Sequence, residues 1–156
     1  MEIFIHKNDL PYVEDDTNLN NDFDRNFLRN EIIPSLGKRW SKLPERAALT
    51  SLTAKKKKLS LDFMLEKNFK KEISTGIIER AKFIETPSFL IEELIRLILR
   101  KKGIALPSQK VLSEIMNVFF HKKPSNESYV EWSRKDGEQI GGKVFSEHND
   151  IILKKK

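Results

Sequence analysis

Two short runs near the start of the chain hold the residues best suited to chemistry. Glu14-Asp15-Asp16-Thr17-Asn18 is an acidic, Asx-rich stretch, and Arg25-Asn26-Phe27-Leu28-Arg29 follows seven residues later. Asx side chains bond their own backbone and resist regular structure, so residues 14–22 read as a loop. Apolar positions Phe23, Phe27, Ile32, Ile33 and Leu36 then recur at near-helical spacing, with Asp22 or Asp24 as candidate N-cap. On such a helix Arg25 and Arg29, four apart, share a face. Two guanidiniums at a helix start oppose its dipole and call for a negative partner. The acidic loop folding back would supply one, and an anionic ligand would supply another.

Other chemistries are excluded by what the sequence lacks. There is no cysteine, hence no thiolate nucleophile, disulfide or Cys-ligated zinc. His6, His121 and His148 are scattered and read as surface or loop residues, not as metal ligands. No glycine-rich phosphate loop of either common spacing occurs, and no Gly-flanked serine offers a nucleophile elbow. By itself the chain carries no complete catalytic constellation and is expected to be inactive alone.

The elements that must position these residues are mostly helices. Pro34 is expected to kink or break the first of them. Pro44 opens a second that passes Lys55, Lys56, Lys57 and Lys58 and reaches Phe69. Residues 73–86 are ambiguous, with a break at Gly76. A strongly periodic helix runs from Phe89 to Lys102 with Gly103 as terminator, and Pro107-Ser108 opens another through Phe119. A short strand or extended arm is expected at 2–6. After Pro124 the period becomes two, predicting strands at 129–133, 142–146 and 150–153 with turns at Lys135-Asp136-Gly137 and His148-Asn149. The fold class is mainly α, a helical domain closed by a small antiparallel β-meander.

Charge is unevenly spread. Residues 1–37 hold eight acids and three bases, the remainder 26 bases and 15 acids, within a net charge of +6. A basic body of this kind attracts polyanions such as nucleic acid. Lys55, Lys56, Lys57, Lys58, Arg96, Arg100, Lys101 and Lys102 are the candidates for phosphate contact. Neither a signal peptide nor an apolar run long enough to span a bilayer is evident, so a cytoplasmic protein is expected. The pair of helices at 89–102 and 108–120 also admits a helix-turn-helix DNA-binding module.

The run from Glu14 to Leu36, with Phe23, Arg25-Asn26-x-Leu28-Arg29 and Ile32-Ile33-Pro34-x-Leu36 in order and Trp40 beyond, resembles without a gap the signature of tRNA(Ile)-lysidine synthases. Asn20 departs from it, since Asp is usual there. The later helices and β-rich end look like the helical substrate domain of that family. The resemblance implies a short remnant of an α/β PP-loop catalytic domain over 1–40, and a helical tRNA-binding domain with C-terminal strands over 41–156. It implies an ATP-dependent ligase that, with Mg, adenylates the wobble cytidine of tRNA(Ile) with a CAU anticodon and joins free lysine to it. The family's S-G-G-x-D-S ATP loop is missing from this sequence. An internal piece of a longer enzyme, or the product of a split or truncated gene with a separately encoded PP-loop piece, is therefore expected, a noncatalytic interaction remnant being the other outcome. Carried over by position, Glu14, Asp15, Asn18, Arg25, Asn26 and Arg29 would edge the active site, with no ATP bound by this piece alone and no metal site of its own.

Overall fold

Proline, serine and glycine set the ends of the helices. In the computed structural model, which describes residues 7–8, 16–125, 127–133 and 140–156, the chain divides into two compact units, Met1–Lys56 and Lys57–Lys156. The expected strand at 2–6, the acids Glu14 and Asp15, and the turn at 135–137 lie outside the described residues.

The first unit begins with a 3-10 turn, Asp16–Leu19, followed by α1 (Asp24–Phe27), a widened π turn (Leu28–Ile32) and α2 (Ile33–Arg39). Phe23 is the N-cap of α1, and neither Asp22 nor Asp24 caps it with its side chain, contrary to expectation. Asp24 sits in the first turn, where its charge suits the dipole. Pro34 does not break the helix. The chain absorbs it one turn earlier, where the Ile33 N–H reaches back five residues to the Leu28 carbonyl. Pro34 has no N–H to give and its ring crowds the carbonyl four residues back, so a widened turn is the low-cost accommodation. After the elbow at Trp40, α3 (Leu43–Asn68) starts with Pro44 in its first turn and runs into the second unit.

In the second unit α4 (Lys70–Thr75) ends on Gly76, whose φ of 78° is open to few other residues. A Cβ there would also press on the Lys102 side chain and sit 2.9 Å from the Leu153 carbonyl. Immediately after it comes β1 (Ile77–Glu79), a strand in the segment that the sequence leaves ambiguous. A 3-10 turn (Arg80–Phe83) leads to α5 (Ser88–Lys101). This helix closes in a Schellman arrangement: Gly103, at φ 63°, gives its N–H to the Arg100 carbonyl, and Ile104 gives its N–H to the Leu99 carbonyl. α6 (Gln109–Met116) is capped by Ser108, whose hydroxyl accepts from the Val111 N–H, and continues as a π turn, Asn117–His121.

Three further strands, β2 (Tyr129–Trp132), β3 (Gly142–Glu147) and β4 (Asp150–Lys155), form the expected antiparallel meander. His148 and Asn149, both at positive φ, make the tight turn between the last two. β1 adds antiparallel to β4, so the sheet order is β1-β4-β3-β2. Alternate residues Ile78, Val130, Trp132, Val144, Ile151 and Leu153 face inward and join Leu94, Ile98, Leu112, Ile115 and Phe119 in one core. Burying each such side chain stabilises the fold by about 1.5–3 kcal/mol.

At the end of β1, Glu79 is clasped by two ammonium groups. Lys71 Nζ donates to it at 2.6 Å and Lys82 pairs with its other oxygen. The hydrogen bond from Lys71, then that from Lys82, pulls its pKa from 4.5 to about 2. The clasp thus adds stability above pH 4.5 that is lost as pH falls through about 2. Carboxyl-carbon NMR should place the Glu79 midpoint near 2, and Lys71→Gln should move it back toward 4.5. An unmoved midpoint in that variant would contradict the clasp.

Candidate active-site edge in the first unit

Among the described residues, amides tie the loop to the helix. Asn26 is 1 % exposed, the one buried polar residue described in its unit. Its Nδ2 donates to the carbonyls of Thr17 at 2.6 Å and Asn20 at 2.8 Å. One turn on, Asn30 Nδ2 donates to the Asn18 carbonyl at 3.1 Å and to Asn21 Oδ1 at 2.9 Å, and Asn21 reaches Glu31 at 3.3 Å. Asn20 Oδ1 accepts from the Asp22 N–H at 2.9 Å, an Asx turn that starts the helix. A carboxylate at that position would accept the same bond, so Asn20 in place of Asp leaves this turn intact.

The expected pairing of acidic loop and guanidiniums is therefore not what orders the described part of this segment. Arg25 and Arg29 are exposed, and neither has an ion pair or hydrogen bond among the described residues. Thr17, Phe23, Asp24, Arg25 and Asn26 line an open cleft of about 470 Å³. Beside it Asn26 Oδ1 is buried and unpartnered. A buried acceptor without a donor costs about 1–3 kcal/mol, a cost that an ordered water or a ligand donor would relieve. The cleft thus offers one guanidinium, that of Arg25, next to the carboxylate of Asp24, with Asn26 Oδ1 as a buried acceptor behind its wall. Of the six sequence-selected residues, Asn18, Arg25, Asn26 and Arg29 are brought together on the loop and its helix.

Asn30 and Asn21 escaped the sequence reading, although Asn26 and Asn30 repeat the four-residue spacing of the arginines one position on. So did the elbow, where Arg39, Trp40, Ser41, Lys42, Leu43 and Arg46 line a cleft of about 520 Å³. Trp40 is 53 % exposed there, with the Arg39 guanidinium 5.5 Å from its ring centre.

The chain's first 36 residues match the PP-loop domain family model. Across most of its length it is similar to proteins named tRNA(Ile)-lysidine synthase: 32 % identical to that of Buchnera aphidicola over 83 % of this chain and 30 % of the relative. The Photorhabdus laumondii protein is 31 % identical over 74 % of this chain and 26 % of itself. The protein of Coxiella burnetii is 30 % identical over 96 % of this chain and 34 % of itself. The chain belongs to the tRNA(Ile)-lysidine synthase family. It spans about a third of the length of these relatives.

Among the bases that the sequence selects for phosphate contact, most are already engaged. Lys58 Nζ lies 2.8 Å from both Asp62 and Glu93, Arg96 pairs with Glu93 at 2.9 Å, and Arg100 with Asp62 at 2.9 Å. Lys101 pairs with Glu66 at 2.7 Å, and Lys102 donates to the Thr75 carbonyl at the end of α4 at 2.9 Å. Lys56 also has a partner, whereas Lys55 and Lys57 have none among the described residues.

His121 is a surface residue, as the sequence suggested, and it is hydrogen-bonded there. Its Nε2 lies 3.3 Å from Ser88 Oγ and its Nδ1 3.0 Å from Asn117 Oδ1. All three are exposed and line none of the clefts described, so the trio ties the π turn to the start of α5. For the helix-turn-helix reading, α6 exposes Glu114, and Gln109 is held by Arg96 at 2.8 Å. A carboxylate on the reading face repels phosphate, and the geometry lends that module no support. No described helix is long and apolar enough to cross a membrane, and no described group of three or more His, Asp or Glu could hold a metal.

Proposed function

We propose that this chain supplies one edge of the active site and a tRNA-binding part of a tRNA(Ile)-lysidine synthase. The ATP-binding PP-loop would stand on another piece. The enzyme would use ATP with Mg to join free lysine to the wobble cytidine of tRNA(Ile) with a CAU anticodon. The observation that carries this reading is the orphaned Asn26 Oδ1 on the helical run that also bears Arg25 and Arg29, two guanidiniums without a partner among the described residues, at positions matching the family signature.

Each residue fits a role in that chemistry. Arg25 and Arg29 can each hold two oxygens of a phosphate at once, which suits nucleotide or tRNA backbone. Asn26 Oδ1 can take a hydrogen bond only from a donor, and an amine or a ribose hydroxyl qualifies. Glu14 and Asp15, outside the described residues, suit the lysine ammonium. ATP would supply the leaving group that makes the cytidine carbon attackable, while these side chains bind and orient.

The apolar side of the same helices supports a second piece. Phe23 is 57 % exposed, Leu28 50 % and Ile33 53 %, apolar surface that the remainder of a PP-loop domain would cover. On this reading residues 1–40 belong to the catalytic side and 41–156 to the substrate side, whereas the compact units divide within α3, at Lys56 and Lys57.

The test is reassembly. A PP-loop piece mixed with this chain, ATP, Mg, lysine and tRNA(Ile) should form lysidine, and neither piece alone should. Stable association without product would overturn the reading in favour of a noncatalytic remnant.

A further inference from the structure

The sheet of the second unit buries one face and leaves the other open, and strand register fixes what the open face carries. Tyr129 lies opposite Phe145, Phe145 opposite Ile152, and Ile152 opposite Ile77, so a single apolar row crosses all four strands. Tyr129 is 58 % exposed, and Phe145 and Ile152 are half-buried. The adjacent row is Glu131, Lys143 and Lys154. Lys143 Nζ stands 4.3 Å from the centre of the Tyr129 ring and Lys154 Nζ 4.7 Å from that of Phe145.

These two lysines differ from those on the helices. Neither has a carboxylate partner among the described residues, and Glu131 is taken by Lys156 at 3.0 Å. An ammonium resting on an exposed ring is weakly held and readily exchanges the ring for a phosphate oxygen. Doing so uncovers the ring. Glu127, Ser128, Tyr129, Lys143, Phe145 and Lys154 line an open groove of about 230 Å³ at this place.

Two aromatic faces beside two uncommitted cations match what an unpaired stretch of nucleic acid presents, flat bases joined by phosphates. A duplex hides its base faces and would leave the rings unused. Protein interfaces exclude lysine from their centres, and here lysine stands at the centre. The geometry points to the open sheet face as a stacking platform for a single-stranded segment of RNA. This rests on the reading that the chain binds tRNA, and it names the unpaired part of that RNA and the surface that takes it.

Fluorescence anisotropy with the full chain would test it, using tRNA(Ile) and a labelled single strand of about eight nucleotides. Tyr129→Ala with Phe145→Ala should weaken binding of both RNAs by about tenfold or more with little change in salt dependence. Lys143→Gln with Lys154→Gln should weaken binding and flatten the salt slope by about one to two. Tyr129→Leu with Phe145→Leu keeps an apolar row and removes the ring faces. It should behave as the alanine pair does, and covers the case in which the alanine pair fails to fold. Wild-type affinity in the leucine and glutamine pairs would overturn the platform while leaving tRNA binding intact. Loss of self-association in these pairs with unchanged RNA affinity would overturn it in favour of a second copy. A wild-type chain that binds neither RNA would overturn both readings.

Discussion

Asn26→Asp is expected to lower lysidine formation by the reassembled enzyme by about a hundredfold, the size of loss that follows a shift of about 1 Å in a positioning element. The substitution changes one NH2 group to an oxygen and nothing in size. That group now donates to the Thr17 and Asn20 carbonyls at 2.6 and 2.8 Å. A carboxylate in its place would face two carbonyl oxygens in a buried setting, at a cost of about 1–3 kcal/mol for each bond lost. The loop at 16–22 would release from α1, carrying Asn18 away from the arginines. Hydrogen exchange should register the release as lost protection of the Asn20 amide, which bonds the Thr17 carbonyl at 3.2 Å. The main thermal transition should hardly move, because the core of the second unit does not include Asn26. Full activity in Asn26→Asp would show that the loop plays no part in the chemistry.

The largest effect on stability is expected at Trp132. The indole is 7 % exposed and its Nε1–H donates to the Ala105 carbonyl at 2.6 Å. It lies so close over Gly142 that a Cβ there would overlap the ring and come within 2.8 Å of Ile104. Trp132→Ala removes the packing and the bond together and should cost about 3–5 kcal/mol. The unfolding midpoint would then fall by roughly 10 °C, read by calorimetry. Gly142→Ala forces the same contact from the other side and should cost about 1–3 kcal/mol. The two costs should combine to less than their sum: once the ring is gone, the alanine at 142 meets only Ile104, at 2.8 Å. Strict additivity would mean that Gly142 is required for its backbone and not for the ring above it.

The Gly141-Gly142 pair shows how far such features are legible in a sequence. Its position between strands was readable, and its reason was not, because the Trp132 ring that crowds Gly142 and the Trp132 backbone that crowds Gly141 lie about ten residues away. Helix ends were legible where a local chemical signal marks them: Pro44, Ser108 and Gly103 act through their own backbone or a near neighbour. β1 was missed for the opposite reason. Ile77-Ile78-Glu79 is too short to show a period, and its partner is β4, more than 70 residues on. The kink expected at Pro34 became a widened turn, since local sterics require relief without dictating its form. In the candidate site, types and spacing selected Arg25, Asn26 and Arg29. Attention fell on their charges because charge is visible in a sequence, whereas the amide bonds of Asn26 and Asn30 exist only once the loop is closed.

A latch made of neutral amides has one property that an ionic latch would lack. Dissolved ions screen attraction between exposed charges beyond about 10 Å at 0.1 M, and they leave buried dipolar bonds nearly untouched. Rising ionic strength should therefore strip RNA from the lysines while the Asn26 and Asn30 bonds keep the loop closed. On the proposed function, the loop would keep its shape between one tRNA leaving and the next arriving, and a returning phosphate would find Arg25 and Arg29 with no carboxylate to displace among the described residues.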